Sequence, residues 1–166
     1  MYRLTQRLGL AQFSHSNGMV DISQKCASLR VAIASCLVRA PERIVDAVFN
    51  SERELNKKGD ILCTARLAGA MAAKKTAELI PLCHQVPLSQ VSVDISRIGP
   101  CEIELRAQVK TINQTGVEME ALTAVSMSAL TIYDMTKSAL KGTADPIVIT
   151  DIKLESKTGG SSSNPS

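Results

Sequence analysis

Three carboxylates and a lysine share one otherwise apolar stretch, TGVEMEALTAVSMSALTIYDMTK, at residues 115–137. Glu118, Glu120 and Asp134 can hold or release protons, and Lys137 can stabilise an anion beside them. Leu122, Val125, Met127, Ala129, Leu130, Ile132 and Met135 keep much of the stretch apolar, so it reads as a largely buried helix. Thr115-Gly116-Val117-Glu118 fits a capping box, with Thr115 as the cap and Glu118 reaching back. Asp134 and Lys137 are close enough in sequence to share a face near the far end. Two accounts of these charges stand side by side. Acids at the start of a helix and cations at its end complement the macrodipole, which suits Glu118, Lys137 and Lys141. Asp134 fits that account poorly, because a carboxylate is disfavoured near a C-terminus. A buried or interfacial acid beside a lysine fits a reactive site instead.

Three further segments carry chemistry. Lys57-Lys58-Gly59-Asp60 sets two lysines before a helix N-terminus, where cations and unpaired N–H groups suit an oxyanion or phosphate. A solvated turn is the structural alternative, and no P-loop pattern occurs. Ile80-Pro81-Leu82-Cys83-His84, with Pro87 soon after, is a proline-stiffened loop. Adjacent Cys83 and His84 cannot by themselves close a zinc site, so His84 reads either as a ligand contact or as a packed side chain. Lys153-Leu154-Glu155-Ser156-Lys157-Thr158-Gly159-Gly160 is the third. On a regular strand Lys153, Glu155 and Lys157 share a face. The glycines would admit an anion to the backbone, although edge-strand lysines explain the segment equally well.

The elements that must position these groups follow from periodicity. Val31, Ile33 and Leu37 alternate over residues 30–38, and Pro41 opens a helix with Ile44, Val45, Ala47 and Val48. Asp60 caps a second helix that runs to about Ile80, where Pro81 stops it. Its small residues, Ala65, Ala68, Gly69, Ala70, Ala72 and Ala73, admit a close helix neighbour. Val91, Val93 and Ile95 pair across Gly99-Pro100 with Ile103, Leu105, Ala107 and Val109 as a hairpin. Ile147, Ile149, Ile152 and Leu154 predict a last strand or two. The order predicts an α+β, ferredoxin-like fold: a βαββαβ core with an extra N-terminal helix, its antiparallel sheet carrying helices on one face. The other face is left wet or covered by a partner subunit.

The 166 residues make one domain, and 45% hydrophobic content supplies its core, which must be aliphatic because aromatics are scarce. We divide the chain into a short N-terminal extension (1–12), a single domain (13–157) and a flexible Gly/Ser-rich tail (158–166). A net charge of +3 without a basic block points to no nucleic-acid partner, and no apolar run has the length of a membrane span. Cys26, Cys36, Cys63, Cys83 and Cys101 are spaced as neither a metal site nor a compact disulfide framework. Their odd number fits a reducing compartment. Arg3 and Arg7, with no acid among residues 1–12, resemble a minimal mitochondrial presequence; the alternative is a cytoplasmic protein.

Taken together, MVDIS (19–23), KKGD (57–60), TARLAGAMAAKKT (64–76), LIPLCH (79–84), TGVEMEALTAVSMSALTIYDMTK (115–137) and SKTGG (156–160) resemble one family. It is the cyclic pyranopterin monophosphate synthase, or molybdenum cofactor biosynthesis protein C, family. The resemblance implies a lyase that converts (8S)-3′,8-cyclo-7,8-dihydroguanosine 5′-triphosphate to cyclic pyranopterin monophosphate and diphosphate. It implies a homohexamer, a trimer of dimers with each active site at a dimer interface. It also implies a functional link to the radical enzyme that makes the substrate. Asp134, Lys58 and Lys137 match the family's catalytic positions, and Leu82, Cys83, His84, Met119 and Glu120 its substrate contacts, with Glu118 close by. Lys74, Lys75 and Lys157 are expected phosphate contacts. No metal ligand and no tightly bound cofactor is implied; magnesium can accompany the triphosphate or the diphosphate. Two departures stand out: Ser161 follows the glycines where the family commonly has lysine, and Thr136 replaces a frequent cysteine. A non-catalytic oligomeric ferredoxin-like module that binds a small molecule is the alternative. An RNA-binding sheet would need strand aromatics, and residues 91–110 have none.

Overall fold

The computed structural model describes residues 18–50, 59–140 and 146–160. The N-terminal extension with its basic stretch, Lys57, Lys58, Lys141 and the tail from residue 161 lie outside the described residues. Four strands, β1 (Ser28–Arg39), β2 (Gln90–Gly99), β3 (Glu102–Asn113) and β4 (Val148–Thr158), form one sheet in the order β2-β3-β1-β4. Every neighbouring pair is antiparallel. With β3 between β1 and β2, and β1 between β3 and β4, this is the ferredoxin-like split βαβ arrangement. The helices are α1 (Glu42–Asn50), α2 (Ile61–Ala73), α3 (Thr76–Leu79) and α4 (Glu118–Thr136), the last continued by a 3-10 turn over Lys137–Leu140. An extra helix N-terminal to the core is not among the described elements; the additional helix, α1, follows β1 instead.

Strict alternation builds the core. Ala32, Ala34, Cys36 and Val38 of β1 and Ile103, Leu105, Ala107 and Val109 of β3 point to the same side and are buried under α4, while α2 lies over β2. On the opposite side β3 carries Glu102, Glu104, Arg106, Gln108 and Lys110. In α1, Ile44, Val45, Ala47 and Val48 are buried, and the Pro41 carbonyl accepts from the N–H groups of Ile44 and Val45.

Four local expectations are corrected. The second helix does not run to Ile80: it stops at Ala73, and Thr76 opens a separate short turn. The Lys75 N–H turns back to the Ala72 carbonyl, and the Thr76 hydroxyl bonds the Ala73 carbonyl at 3.0 Å, which diverts carbonyls from the helical ladder. The capping box at the head of α4 does not form. Val117 holds the N-cap position without a side-chain bond, and the Glu118 carboxylate pairs with Lys157 at 3.2 Å instead. Glu120 accepts from its own backbone N–H and so takes up one of the unpaired donors of the first turn. Leu130 is 51% exposed rather than buried.

The fourth correction concerns β4. Lys153 pairs with Ser35 and Leu154 with Ala34, but Ile33 pairs with Ser156, so Glu155 is bulged out of register. The bulge reverses the side-chain alternation. Lys153 therefore lies on the open face of the sheet, and Lys157, opposite Ala32, on the helix face beside α4. The two lysines do not share a face.

The contact of α2 with α4 sets the height of the helical layer. A β-carbon on Gly69 would strike the Ser128 hydroxyl and lie 2.8 Å from the Ala124 carbonyl oxygen and 3.2 Å from a Val93 methyl. Ser128 donates to the Ala65 carbonyl at 2.9 Å across the same crossing. Gly69→Ala should therefore destabilise the protein by about 1–3 kcal/mol, despite alanine's better helix propensity. The urea midpoint reads this directly. Adding Ser128→Ala should recover only part of the loss, because the Ala124 carbonyl still blocks the methyl.

Candidate active site

Two segments meet at the head of α4. The loop after α3, held by Pro81 and by the Cys83 N–H on the Ile80 carbonyl at 3.0 Å, lays Leu82, Cys83 and His84 beside the first turn of α4. The segment from Val20 to Lys25 closes the side. Between them is a cavity of about 520 Å³ lined by both, by Ile80 and Val86, and by Thr115, Gly116, Glu118, Met119 and Glu120. Val20, Ile22, Ile80, Leu82, Val86 and Met119 give it apolar walls; Lys25, Cys83, His84, Glu118 and Glu120 are its polar anchors. This is the composition of a site for a mostly flat organic ring held by a few fixed polar groups.

The electrostatics of the cavity centre on Glu120, which is only 2% exposed. Burial pushes its carboxyl above the usual carboxylate range, and the nearby charge of Glu118 adds to the shift. The Cys83 thiol sits 3.9 Å from the Glu120 carboxylate, and burial together with that carboxylate raises the thiol in turn. Cys83 is thus a neutral hydrogen-bond donor to Glu120, unsuited to act as a thiolate nucleophile. Raised carboxyl groups of this kind can exchange protons nearer neutral pH.

A smaller cavity of about 160 Å³ adjoins the first and shares Lys25, Thr115, Gly116 and Glu118 with it. Lys25, Arg30 and Lys157 give it three cations. Arg30 is aimed by the carbonyls of Asn113 and Gln114, each 3.2 Å from a guanidinium nitrogen. Gly159 lets β4 end here: with φ at 91° it runs so close to the Leu29 carbonyl that a side chain would collide. Lys25 and Arg30 were not among the sequence-predicted site residues. They are isolated cations in the sequence, and only the register of β1 on β3 brings Arg30 beside the segment leading into α4. The glycine pair after Lys157 is the one local signal that pointed here.

The remaining predicted residues lie elsewhere in the chain. Lys74 lines a separate cavity with Gln85, Val86, Pro87 and Leu88, and Lys75 is exposed at the break between α2 and α3. Asp134 and Lys137 form an ion pair of 2.6 Å at the far end of α4, with side chains 51% and 56% exposed. Asp134 raises the Lys137 ammonium above its ordinary value. In the single chain this pair is thus exposed rather than buried. No cluster of three or more His, Cys, Asp or Glu side chains is gathered for a metal ion among the described residues, and no described helix is long and apolar enough to cross a membrane.

Residues 19–160 match the MoaC family, a span that contains both cavities and the Asp134–Lys137 pair. The chain belongs to the MoaC family. The cyclic pyranopterin monophosphate synthase of Nostoc sp. is 47% identical over 158 residues, covering 92% of this chain and 90% of its own. That of Dinoroseobacter shibae is 49% identical over 158 residues, covering 93% and 95%. That of Streptomyces avermitilis is 49% identical over 144 residues, covering 87% and 80%.

For this MoaC family member the buried acid has a measurable signature. A carboxyl raised by folding binds protons more tightly in the native than in the unfolded state. Its contribution to stability is present below the unfolded value and is lost as pH rises through the folded one. Glu120→Gln removes that loss. The variant should resist denaturant at least as well as wild type at neutral pH, and the gap should close on acidification. Its turnover should fall by about 10²-fold or more. A variant less stable at neutral pH than in acid, relative to wild type, would contradict the raised carboxyl.

Proposed function

We propose that this enzyme converts (8S)-3′,8-cyclo-7,8-dihydroguanosine 5′-triphosphate to cyclic pyranopterin monophosphate and diphosphate, a step of molybdenum cofactor biosynthesis. The observation that carries the reading is the junction of two unlike cavities. One has apolar walls and polar anchors, the other three cations, and Lys25, Thr115, Gly116 and Glu118 belong to both. A heterocycle bearing a triphosphate fits that junction, ring in the larger cavity and phosphates toward Lys25, Arg30 and Lys157. The names of the relatives support the same chemistry.

The reaction opens a purine ring, rebuilds a pterin and closes a cyclic phosphate, so protons must move several times near neutral pH. Glu120 and the Asp134–Lys137 pair supply groups that give and take them. Diphosphate leaves with developing negative charge, which the cations of the smaller cavity offset. Magnesium, where it accompanies the triphosphate, would be held mainly by phosphate and water. Lys58, which the resemblance matches to a catalytic lysine, lies outside the described residues.

A full site needs a second copy of the chain. Glu120 and Asp134 stand on one straight helix, and at about 1.5 Å per residue they are roughly 20 Å apart. No single substrate of this size touches both. Beside Asp134 on α4, Leu130 and Tyr133 are exposed apolar side chains, and Leu67 and Met71 are exposed on α2. Exposed apolar strips of this kind suit a subunit contact. A homohexamer built from dimers, with the head of one α4 facing the tail of another, completes the site.

Turnover of the cyclic dihydroguanosine triphosphate by the purified assembly, followed by diphosphate and pterin release, tests the reaction. Asp134→Asn should keep the assembly and ligand binding but lose turnover; retained turnover would remove Asp134 from the chemistry. The shared site has its own test. Asp134→Asn and Glu120→Gln chains, each inactive alone, should recover activity when co-assembled, to about a quarter of wild type for random mixing in symmetric dimers. A mixture as inactive as its parents would place both groups in separate functions.

A further inference from the structure

His84 is tied at the cavity wall to a segment that lies far from it in sequence. Its Nε2 is 2.8 Å from the carbonyl oxygen of Val20. A carbonyl oxygen only accepts, so Nε2 must carry a proton in that bond. In the neutral ring the lone pair then belongs to Nδ1, and the second-partner bond fixes which nitrogen can accept.

The segment that supplies the carbonyl is itself folded for the purpose. The Ser23 N–H bonds the Asp21 carboxylate at 2.8 Å, and the Lys25 N–H bonds the Ile22 carbonyl at 3.0 Å. These turns bend the chain over the cavity, so that Val20, Ile22 and Lys25 line it while the Val20 carbonyl meets the imidazole. On the other side Pro81 and Pro87 restrict the loop that carries His84. Both partners of the bond are thus held before any ligand arrives.

We infer that Val20 acts as a positioning residue: its carbonyl fixes His84 as the Nε2–H tautomer, so that Nδ1 accepts a hydrogen bond from a ring N–H or O–H of the substrate. The inference rests on the reading of the larger cavity as the seat of the heterocycle. It makes His84 selective for a ring edge rich in donors, as a guanine-derived edge is. A ring presenting only acceptors there leaves two lone pairs facing each other and loses binding. Glu118 and Glu120 line the same cavity and add carboxylate oxygens to its wall.

The tautomer can be read in the ligand-free assembly by 15N NMR of histidine-labelled protein, with the His84 signals assigned by their loss in His84→Gln. The expected spectrum of the neutral ring has a protonated Nε2 and a lone-pair Nδ1. A protonated Nδ1, or a ring averaging between both forms, overturns the inference whatever the substrate. Kinetics separate the two ends of the imidazole. His84→Asn puts an amide oxygen near the place of Nδ1 but falls short of Val20, whereas His84→Gln reaches Val20 without an acceptor at the Nδ1 position. His84→Gln should lose about 10–100-fold in kcat/KM, and His84→Asn should retain more of it than either Gln or Ala. Equal losses in all three variants, or an unimpaired His84→Gln, overturn the assignment of Nδ1. An inert wild type would remove the proposed reaction instead, and the ligand-free spectrum would still decide the tautomer.

Discussion

How close α2 comes to the middle of α4 governs what happens at both of α4's ends. Gly69 has no room for a side chain, and Ser128 bonds the Ala65 carbonyl across the same gap, so α4 is fixed in height and in rotation about its axis. Rotation matters most. A helix turned by a third of a revolution would lift Glu120 out of the cavity and turn Asp134 away from its exposed edge. The small residues of α2 are therefore the packing condition for a chemical arrangement that lies about one to two turns of α4 away from the crossing. Core packing tolerates little change at such a contact, because interiors are as dense as organic crystals.

The second constraint is electrostatic and opposes stability. Glu120 is buried at the head of a helix, where the dipole favours a carboxylate while the apolar walls disfavour its charge. Burial wins, and the group is left above the usual range with only its own N–H and the Cys83 thiol as described partners. Glu118, the first residue of the same helix, pairs instead with Lys157. Two carboxylates two residues apart thus end in different surroundings, one buried beside a thiol and the other in an ion pair with a lysine. The difference comes from which side of the helix each faces.

Much of this was legible in the residues. Period-two alternation at Val91–Ile95 and Ile103–Val109 fixed the hairpin, and the small-residue run at Ala65–Ala73 announced a tight helix crossing. Where local rules misled, a competing interaction had taken the group they relied on. Thr115 and Glu118 have the spacing of a capping box, yet a lysine from β4 claims the carboxylate. Lys74 and Lys75 are good helix formers, yet the Thr76 hydroxyl and the Lys75 N–H capture the carbonyls that would continue the helix. Lys157 changes face because one bulged residue shifts the alternation, and no periodicity can reveal a bulge that the partner strand imposes. Lys25 and Arg30 were invisible for a related reason: their significance depends on strand register. Motif resemblance reached the cavity residues that periodicity could not interpret, and it left the second cavity's cations unassigned.

In the two-chain site proposed above, the helix that supplies one half withholds the other. A helix long enough to span the sheet carries its two ends too far apart for one ligand, so a protein that places reactive groups at both must bring two helices together. Symmetry makes this economical. In a two-fold contact each α4 offers its head to one site and its tail to the other, and two complete sites form from one interface. The exposed Asp134–Lys137 pair then has a physical rationale. Left in water it contributes little to stability, as exposed ion pairs do. Brought against a partner's cavity it loses solvent, and its charges act more strongly on whatever lies between. Catalytic competence would thereby depend on assembly, with no half-site able to start the chemistry on its own.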